Sequence, residues 1–232
     1  MIPIRDANPS GTWPVFTVLL VLANAVAFAL QLSQGVYLES FIMQYGLVPA
    51  RVTHPGDPVA DVVVPAFTSL FLHGGWLHLL GNMWFLWIFG DNIEDRLGHL
   101  RFLVFYLLCG LGAGAAHVYF NPVARVPTIG ASGAIAGVLG AYMLCFPRAR
   151  ILTLVPVFVF VQFVELPAFL VLFMWFALQF LQGTVAAATA ASGGVAWWAH
   201  VGGFVVGMVL IALMRPSRRS RQRRYQTWLR QG

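Results

Sequence analysis

The chain has 232 residues, of which 59% are hydrophobic and only 9% are charged. Soluble domains carry about 25% charged residues, so this composition excludes a soluble globular protein and indicates an integral membrane protein. The net charge of +6 comes mostly from a tail between Arg215 and Arg230 that holds seven of the 14 basic residues. Such a tail beside a membrane contacts anionic lipid, and we predict no nucleic-acid partner.

Six apolar segments predict transmembrane helices, each of which needs about 20 mostly apolar residues. In chain order they are residues 13–32, 76–89, 102–120, 130–146, 167–181 and 195–214. A long outer loop, residues 33–64, follows the first segment. Residues 153–166 precede the fifth segment, contain Pro156 and Glu165, and are predicted to lie at the membrane interface. The predicted fold class is an all-α membrane protein, a bundle of six transmembrane helices with a large loop between helices 1 and 2.

The distribution of arginine predicts the orientation of this bundle. With both termini in the cytoplasm, 12 arginines lie inside and two, Arg51 and Arg125, lie outside, which satisfies the positive-inside rule. We therefore predict a cytoplasmic N-terminus over residues 1–12, a membrane core over 13–214 and a basic cytoplasmic tail over 215–232. We expect the protein to lie in the inner membrane of a cell, where the lipid bilayer is one of its partners.

Four polar residues fall at similar depths in three of the predicted spans. At a rise of about 1.5 Å per residue, Ser132 and His200 lie roughly 22–24 Å from the inner ends of their spans. On the same count, His78 lies at roughly 20 Å and Asn82 at roughly 14 Å. Polar groups at such depth are costly and indicate function. We therefore predict one cavity, open to the outside, that contains all four.

Small residues support a close approach of the two spans that carry Ser132 and His200. Faces with a small residue at every fourth position let membrane helices pack tightly. Such faces occur beside both residues: Ser132, Ala136 and Gly140 with Gly133 and Gly137 in one span, and Ala199, Gly203 and Gly207 in the other. Ordinary packing glycines are the alternative explanation for either face taken alone.

A serine beside a histidine is typical of nucleophilic catalysis. Ser132 would attack a carbonyl carbon while His200 accepts its proton as general base. The backbone N–H of Ser132 and the side chains of Asn82 and His78 would donate hydrogen bonds to the oxyanion. Because no aspartate or glutamate lies at this depth, we predict a Ser–His dyad rather than a triad, with no metal and no cofactor.

These motifs resemble the rhomboid family of intramembrane serine proteases over roughly residues 67–207. Gly130 to Gly133 matches the nucleophile motif, Ala199-His200 with Gly203 matches the helix that bears the base, and His78 with Asn82 matches the oxyanion side. His73 matches a further histidine at the mouth of the site, and residues 94–98 match a turn after the second span. The resemblance implies a rhomboid-like bundle that cleaves membrane proteins in or near their transmembrane helices.

A helical peptide bond is shielded by its own hydrogen bonds, so we expect substrates whose transmembrane segments contain small or helix-breaking residues. Aromatic residues of the fifth span, Trp175, Phe176 and Phe180 among them, are candidates for a movable lateral gate, although lipid-facing or core positions explain them equally well. One departure from the family concerns the outer loop, where Val64-Pro65 replaces a Trp-Arg pair. This replacement affects the anchoring of the loop rather than the chemistry.

Two alternatives remain open at this point. A catalytically inactive rhomboid-like protein would keep the fold and bind transmembrane segments without cleaving them. A transporter or channel would also carry polar residues at mid-depth, but it would usually contain internal repeats, which this sequence lacks. A serine-reactive fluorophosphonate probe separates both alternatives from the protease.

Overall fold

The computed structural model describes residues 2–54, 58–157, 160–188 and 196–214. The predicted basic tail, residues 215–232, lies outside these ranges. Nine α-helices are present in the part of the chain that is described. They are α1 (Val15–Leu32), α2 (Leu38–Tyr45), α3 (Pro49–Thr53), α4 (Ala60–Thr68), α5 (Trp76–Leu97), α6 (His99–Phe120), α7 (Ser132–Cys145), α8 (Ala168–Ala188) and α9 (Trp197–Met214).

The long apolar helices confirm a mostly helical protein of the membrane type. Helices α1, α6 and α9 are long and apolar enough to cross a bilayer, and α4 with α5, bent by 79° at their junction, forms a fourth candidate. Helix α7 and the apolar part of α8, Ala168–Gln182, are shorter. The 14 residues of α7 span about 21 Å at 1.5 Å per residue. The count of six spans therefore stays a prediction.

The structure contradicts the all-α fold class, because it contains a three-stranded antiparallel sheet. Strands β1 (Ile2–Asp6), β2 (Arg150–Val157) and β3 (Phe160–Pro167) lie in that order. Within the segment predicted to be interfacial, residues 153–157 and 160–166 thus lie in two paired strands. The valine, threonine and phenylalanine residues of this segment favour strands. Strand pairing also satisfies the backbone polar groups of a segment that does not continue as a helix.

The N-terminal segment, predicted to be cytoplasmic over residues 1–12, forms strand β1 and pairs with β2. Ile2 lies opposite Leu154 and Asp6 lies opposite Ile151. The indole N–H of Trp84 on α5 donates to the Pro3 carbonyl at 2.7 Å. Residues 2–6 therefore join the sheet to the helix bundle.

A buried carboxylate joins the end of α5 to the start of α1. Glu94 is fully buried and accepts hydrogen bonds from the backbone N–H groups of Phe16 and Thr17, each at 2.8 Å. These N–H groups belong to the first turn of α1, where a helix has no internal partners for them and where negative charge is favourable. Gly98, with φ +82°, then lets the chain turn directly from α5 into α6.

Helix α7 lies at the centre of the bundle and contacts α9 at very short range. A Cβ atom added to Gly207 would lie 2.0 Å from the Gly137 carbonyl oxygen, and one added to Gly203 would lie 2.0 Å from that of Gly133. Only glycine permits this approach at the two positions. The predicted small-residue faces of the two helices are therefore in contact.

The predicted outer loop, residues 33–64, is largely helical where it is described, because α2, α3 and the start of α4 lie within it. Its Leu47 exchanges two backbone hydrogen bonds with Thr128, at 3.0 and 2.8 Å. The Thr68 hydroxyl donates to the Tyr45 carbonyl at 2.7 Å and joins α4 to α2. Pro65, at the position of the departure from the family pattern, is buried within α4.

Candidate functional site

A cavity of about 1210 Å³ lies between helices α5, α6, α7, α8 and α9. The four polar residues predicted to meet, Ser132, His200, His78 and Asn82, all line it. The described residues that line the cavity include no aspartate or glutamate. The connection between α6 and α7, residues 121–130, forms another part of its wall.

Ser132 and His200 are hydrogen-bonded to each other. The distance from Ser132 Oγ to His200 Nε2 is 2.7 Å, although the two residues are 68 positions apart in the chain. Ser132 is the first residue of α7, and His200 lies in the first turn of α9. The close contact of Gly133 with Gly203, one turn or less from each, brings the two helix starts together. A serine hydroxyl in this position can pass its proton to the imidazole.

His78 and Asn82 lie one helical turn apart on α5, and both are close to Gly130. A Cβ atom on Gly130 would lie 2.8 Å from His78 Nε2 and 3.7 Å from Asn82 Nδ2. Gly130 has φ +126°, and its N–H donates to the Ser69 carbonyl at 2.8 Å. A glycine is therefore required here both by backbone conformation and by space.

The His78 and Asn82 side chains both present hydrogen-bond donors towards the space beside Gly130. His78 Nδ1 accepts the Gly74 N–H at 3.2 Å, so a neutral His78 carries its proton on Nε2, the atom nearer Gly130. Asn82 Nδ2 is buried and has no hydrogen-bond partner among the described residues. The N–H of Ser132, at the start of α7, is one of the groups that have no partner within a helix. An anion between these three groups would receive three hydrogen bonds.

His73 packs against His78 and is not among the residues that line the cavity. It is fully buried, and its ring packs against that of His78 with 5.1 Å between centroids. Gln31 on α1 holds its backbone in both directions: the Gln31 amide donates to the His73 carbonyl at 2.6 Å and accepts the His73 N–H at 3.0 Å. His73, predicted at the mouth of the site, therefore contacts the cavity-lining residue His78. Gln31 was not predicted.

The three predicted gate residues differ in their surroundings. The Trp175 ring lines the cavity and lies 5.9 Å from the His200 ring. Phe176 packs on Phe204 of α9 at 4.6 Å, and Phe180 contacts Trp198 edge-on at 6.0 Å. All three therefore lie at the contact between α8 and α9, with Trp175 nearest to the serine–histidine pair.

Gln179 on α8 was missed by the sequence reasoning. Its Oε1 lies 2.7 Å from Nδ1 of His200, the ring nitrogen that faces away from Ser132. The prediction of a dyad rests on the absence of a carboxylate at this depth and leaves out an amide as the third polar group. One signal was available, because a glutamine in the otherwise apolar span 167–181 is costly in a membrane and indicates a specific partner.

Comparison with known proteins identifies the family. Residues 61–217, more than half of the chain, match the model of the Rhomboid domain. Rhomboid-like protein 11, chloroplastic, of Arabidopsis thaliana is 30% identical over 122 residues, which cover 53% of this chain and 42% of that protein. Rhomboid protein 1, mitochondrial, of Saccharomyces cerevisiae is 36% identical over 91 residues, or 38% and 26% of the two chains.

The name of one bacterial relative states an activity. Rhomboid protease GluP of Bacillus subtilis is 32% identical over 131 residues, which cover 56% of this chain and 24% of that protein. The chain thus spans less than half the length of each of these three relatives. Because the domain match covers more than half of the chain and includes Ser132 and His200, this chain belongs to the rhomboid family.

Proposed function

We propose that this protein is an intramembrane serine endopeptidase that hydrolyses peptide bonds in or near transmembrane segments of other membrane proteins. The observation that carries the proposal is the 2.7 Å hydrogen bond between Ser132 Oγ and His200 Nε2 inside the cavity. Membership of a family that includes a named rhomboid protease supports it.

In the first half of the reaction, Ser132 Oγ attacks the carbonyl carbon of the scissile peptide bond. A bond forms between Oγ and that carbon, and the serine proton moves to His200 Nε2. The negative oxygen of the tetrahedral intermediate accepts hydrogen bonds from the Ser132 N–H, His78 Nε2 and Asn82 Nδ2. The geometry around Gly130 supports these donor roles, because both side-chain nitrogens lie close to the space that a side chain there would fill.

In the second half, the carbon–nitrogen bond breaks and His200 gives its proton to the leaving amine. The remaining acyl group is esterified to Ser132. A water molecule then attacks this ester and gives a proton to His200, which returns it to Ser132 as the carboxylic acid leaves. These steps require no metal and no cofactor.

Access for the substrate follows from the position of the cavity. A transmembrane helix must unwind locally before its peptide bond reaches Ser132, so substrates with helix-destabilising residues are favoured. Entry from the lipid would pass between α8 and α9, where Trp175, Phe176 and Phe180 lie. A gate formed by these residues is part of the proposal.

The proposal also includes the membrane placement predicted from the sequence. Helix α7 and the apolar part of α8 complete six spans, with both termini in the cytoplasm and the chain in the inner membrane. The cavity, at the starts of α7 and α9, then opens towards the outer face. The arginine distribution supports this orientation.

Cleavage of a single-span reporter protein in proteoliposomes tests the proposal. Wild type should cleave the reporter and react with a fluorophosphonate probe, whereas Ser132→Ala and His200→Ala should do neither at a detectable rate. Ser33→Ala is a matched control, because Ser33 is exposed at the end of α1, and it should behave as wild type. Absence of both cleavage and labelling in folded wild type would contradict the protease and favour a binding protein. Equal cleavage by wild type and Ser132→Ala would mean that the nucleophile is wrong.

A further inference from the structure

His200 has a polar partner on each of its two ring nitrogens. Nε2 lies 2.7 Å from Ser132 Oγ, and Nδ1 lies 2.7 Å from Gln179 Oε1. We propose, resting on the proposed function, that Gln179 is a positioning residue that holds the His200 proton on Nδ1 and so leaves Nε2 free to accept the proton of Ser132.

The chemistry of the amide oxygen supports this role. A carbonyl oxygen accepts hydrogen bonds and cannot donate them, so the short contact with Oε1 requires a proton on Nδ1. A neutral imidazole carries a single proton, and Nε2 then presents its lone pair to the serine hydroxyl. The opposite tautomer would place an N–H against Ser132 and could not act as a base towards it.

The residues around the cavity explain why an amide, Gln179, accepts the hydrogen bond from His200 Nδ1. The described residues that line the cavity include no carboxylate, so the place that an aspartate occupies in a catalytic triad is taken by an uncharged oxygen. An amide stabilises the imidazolium less than a carboxylate does. It also avoids the cost of an unpaired buried charge when the histidine is neutral.

Helix α8 contacts His200 through two residues on one face. Trp175 precedes Gln179 by one helical turn, and its ring lies 5.9 Å from that of His200. Trp197 contacts the imidazole from a second direction, edge-on, with 6.2 Å between ring centroids. The two indoles limit rotation of the imidazole, while Gln179 decides which nitrogen carries the proton.

Substitution of Gln179 tests the role by kinetics. Gln179→Met keeps length and volume but removes the strong acceptor, and we expect kcat for reporter cleavage to fall about 10- to 100-fold with little change in KM. Gln179→Glu restores an acceptor and should recover most of the lost kcat. Its negative charge should also move the acidic limb of the pH–rate profile to higher pH. Gln182→Met, the same change at an exposed position of α8, is the control and should match wild type.

The outcomes separate this role from the function on which it rests. Unchanged kcat and pH profile in Gln179→Met, with Ser132→Ala inactive, would overturn the role of Gln179 and leave the protease standing. Gln179→Met could instead lower both kcat and the melting temperature, with no recovery of kcat in Gln179→Glu. That result would show that Gln179 has a merely structural role. Inactive wild type would contradict the protease itself.

The tautomer is measurable without any activity. In detergent-solubilised protein with 15N-labelled histidine, the two ring nitrogens of His200 are assigned by comparison with His200→Ala. We expect a proton on Nδ1 in wild type and a mixture of the two tautomers in Gln179→Met. A proton on Nε2 in wild type, or the same tautomer in both proteins, would overturn the proposal.

Discussion

Asn82 is a buried polar residue whose amide nitrogen has no hydrogen-bond partner in the described part of the chain. A buried donor without a partner costs free energy, commonly about 1–3 kcal/mol, so its retention calls for an explanation. Asn82 Nδ2 lies near Gly130 and lines the cavity with Ser132. An oxyanion that forms only during the reaction would supply the missing partner.

This assignment predicts that activity and stability respond differently to Asn82→Ala. Loss of one oxyanion donor should lower kcat by about 10²- to 10³-fold. The melting temperature should hardly change, because the Asn82 amide nitrogen makes no hydrogen bond to the described residues of the resting protein. Asn24→Ala is the matched control: Asn24 is buried in α1 and donates to the Leu20 carbonyl at 2.7 Å. It should lower stability by about 1 kcal/mol and leave kcat unchanged. The reverse pattern, with Asn82→Ala unstable but fully active, would contradict the role of Asn82.

At the level of single residues, the sequence could place most of the site but not all of it. Ser132, His200, His78 and Asn82 stand in recognisable motifs, and their depths predicted one cavity, which the structure contains. Gln179 has no such motif. Its partner lies 21 positions away on another helix, and the direction of its side chain depends on how α8 packs against α9. Sequence periodicity does not specify that packing.

The contact between α7 and α9 determines the distance from Ser132 to His200. Carbonyl oxygens of α7 occupy the space beside glycines of α9, 2.0 Å from where a Cβ atom of Gly207 would stand. Backbone atoms cannot move aside as a flexible side chain can. A methyl group at Gly207 must therefore separate the two helices.

We predict that Gly207→Ala lowers the free energy of unfolding by about 1–3 kcal/mol, the usual range for overpacking, and also lowers kcat. Gly81→Ala on α5 is the matched control for stability, because a Cβ atom there meets nothing within 4 Å. It should be as stable as wild type or more so, since alanine favours helices. Unfolding in mixed detergent micelles measures both variants. Equal stability of Gly207→Ala and wild type would show that the helices can separate without cost.

The secondary structure was predictable where composition and length determine it. The bounds of α6, α7 and α9 differ from the predicted spans by at most three residues at either end. The sheet was missed because residues 151–166 are too continuously apolar to show the alternation of a half-buried strand. Pro156 and Glu165 also argued against a regular element. The pairing of β2 with β1 links parts of the chain that are too far apart for local sequence patterns to reveal.

In the whole molecule, the N-terminal segment connects the sheet to the helix bundle at the end remote from the site. The Tyr142 hydroxyl of α7 donates to Asp6 Oδ2 at 2.6 Å, and the Asn92 amide of α5 donates to the same oxygen at 2.9 Å. Asp6 therefore joins β1 to two helices that carry parts of the site. Asn8 also bonds to Asn92, which extends the connection along the chain.

This connection makes the stability of the protein dependent on pH. Burial raises the pKa of the Asp6 carboxyl from 3.8 to about 6, with the hydrogen bond from Tyr142 opposing the shift and the negative charge of Asp91 adding to it. Between pH 6 and pH 3.8 the folded protein therefore holds a proton that the unfolded chain has released. The free energy of unfolding contributed by Asp6 rises as pH falls through this window, and it is lost as pH rises through about 6.

Asp6→Asn isolates this contribution, because an amide oxygen can still accept from Tyr142 and Asn92 but does not ionise. We expect Asp6→Asn to melt at a higher temperature than wild type at pH 8. This difference should shrink as the pH is lowered to 4.5. Groups remote from Asp6 that titrate in the same range cancel in this difference, whereas Asp91, whose charge acts on Asp6, contributes to it. Thermal unfolding in detergent across that range measures it, with Asp61→Asn, a change in the outer helix α4, as the control that should show no such trend. A difference that stays constant with pH would mean that Asp6 is as well solvated in the folded protein as in the unfolded chain.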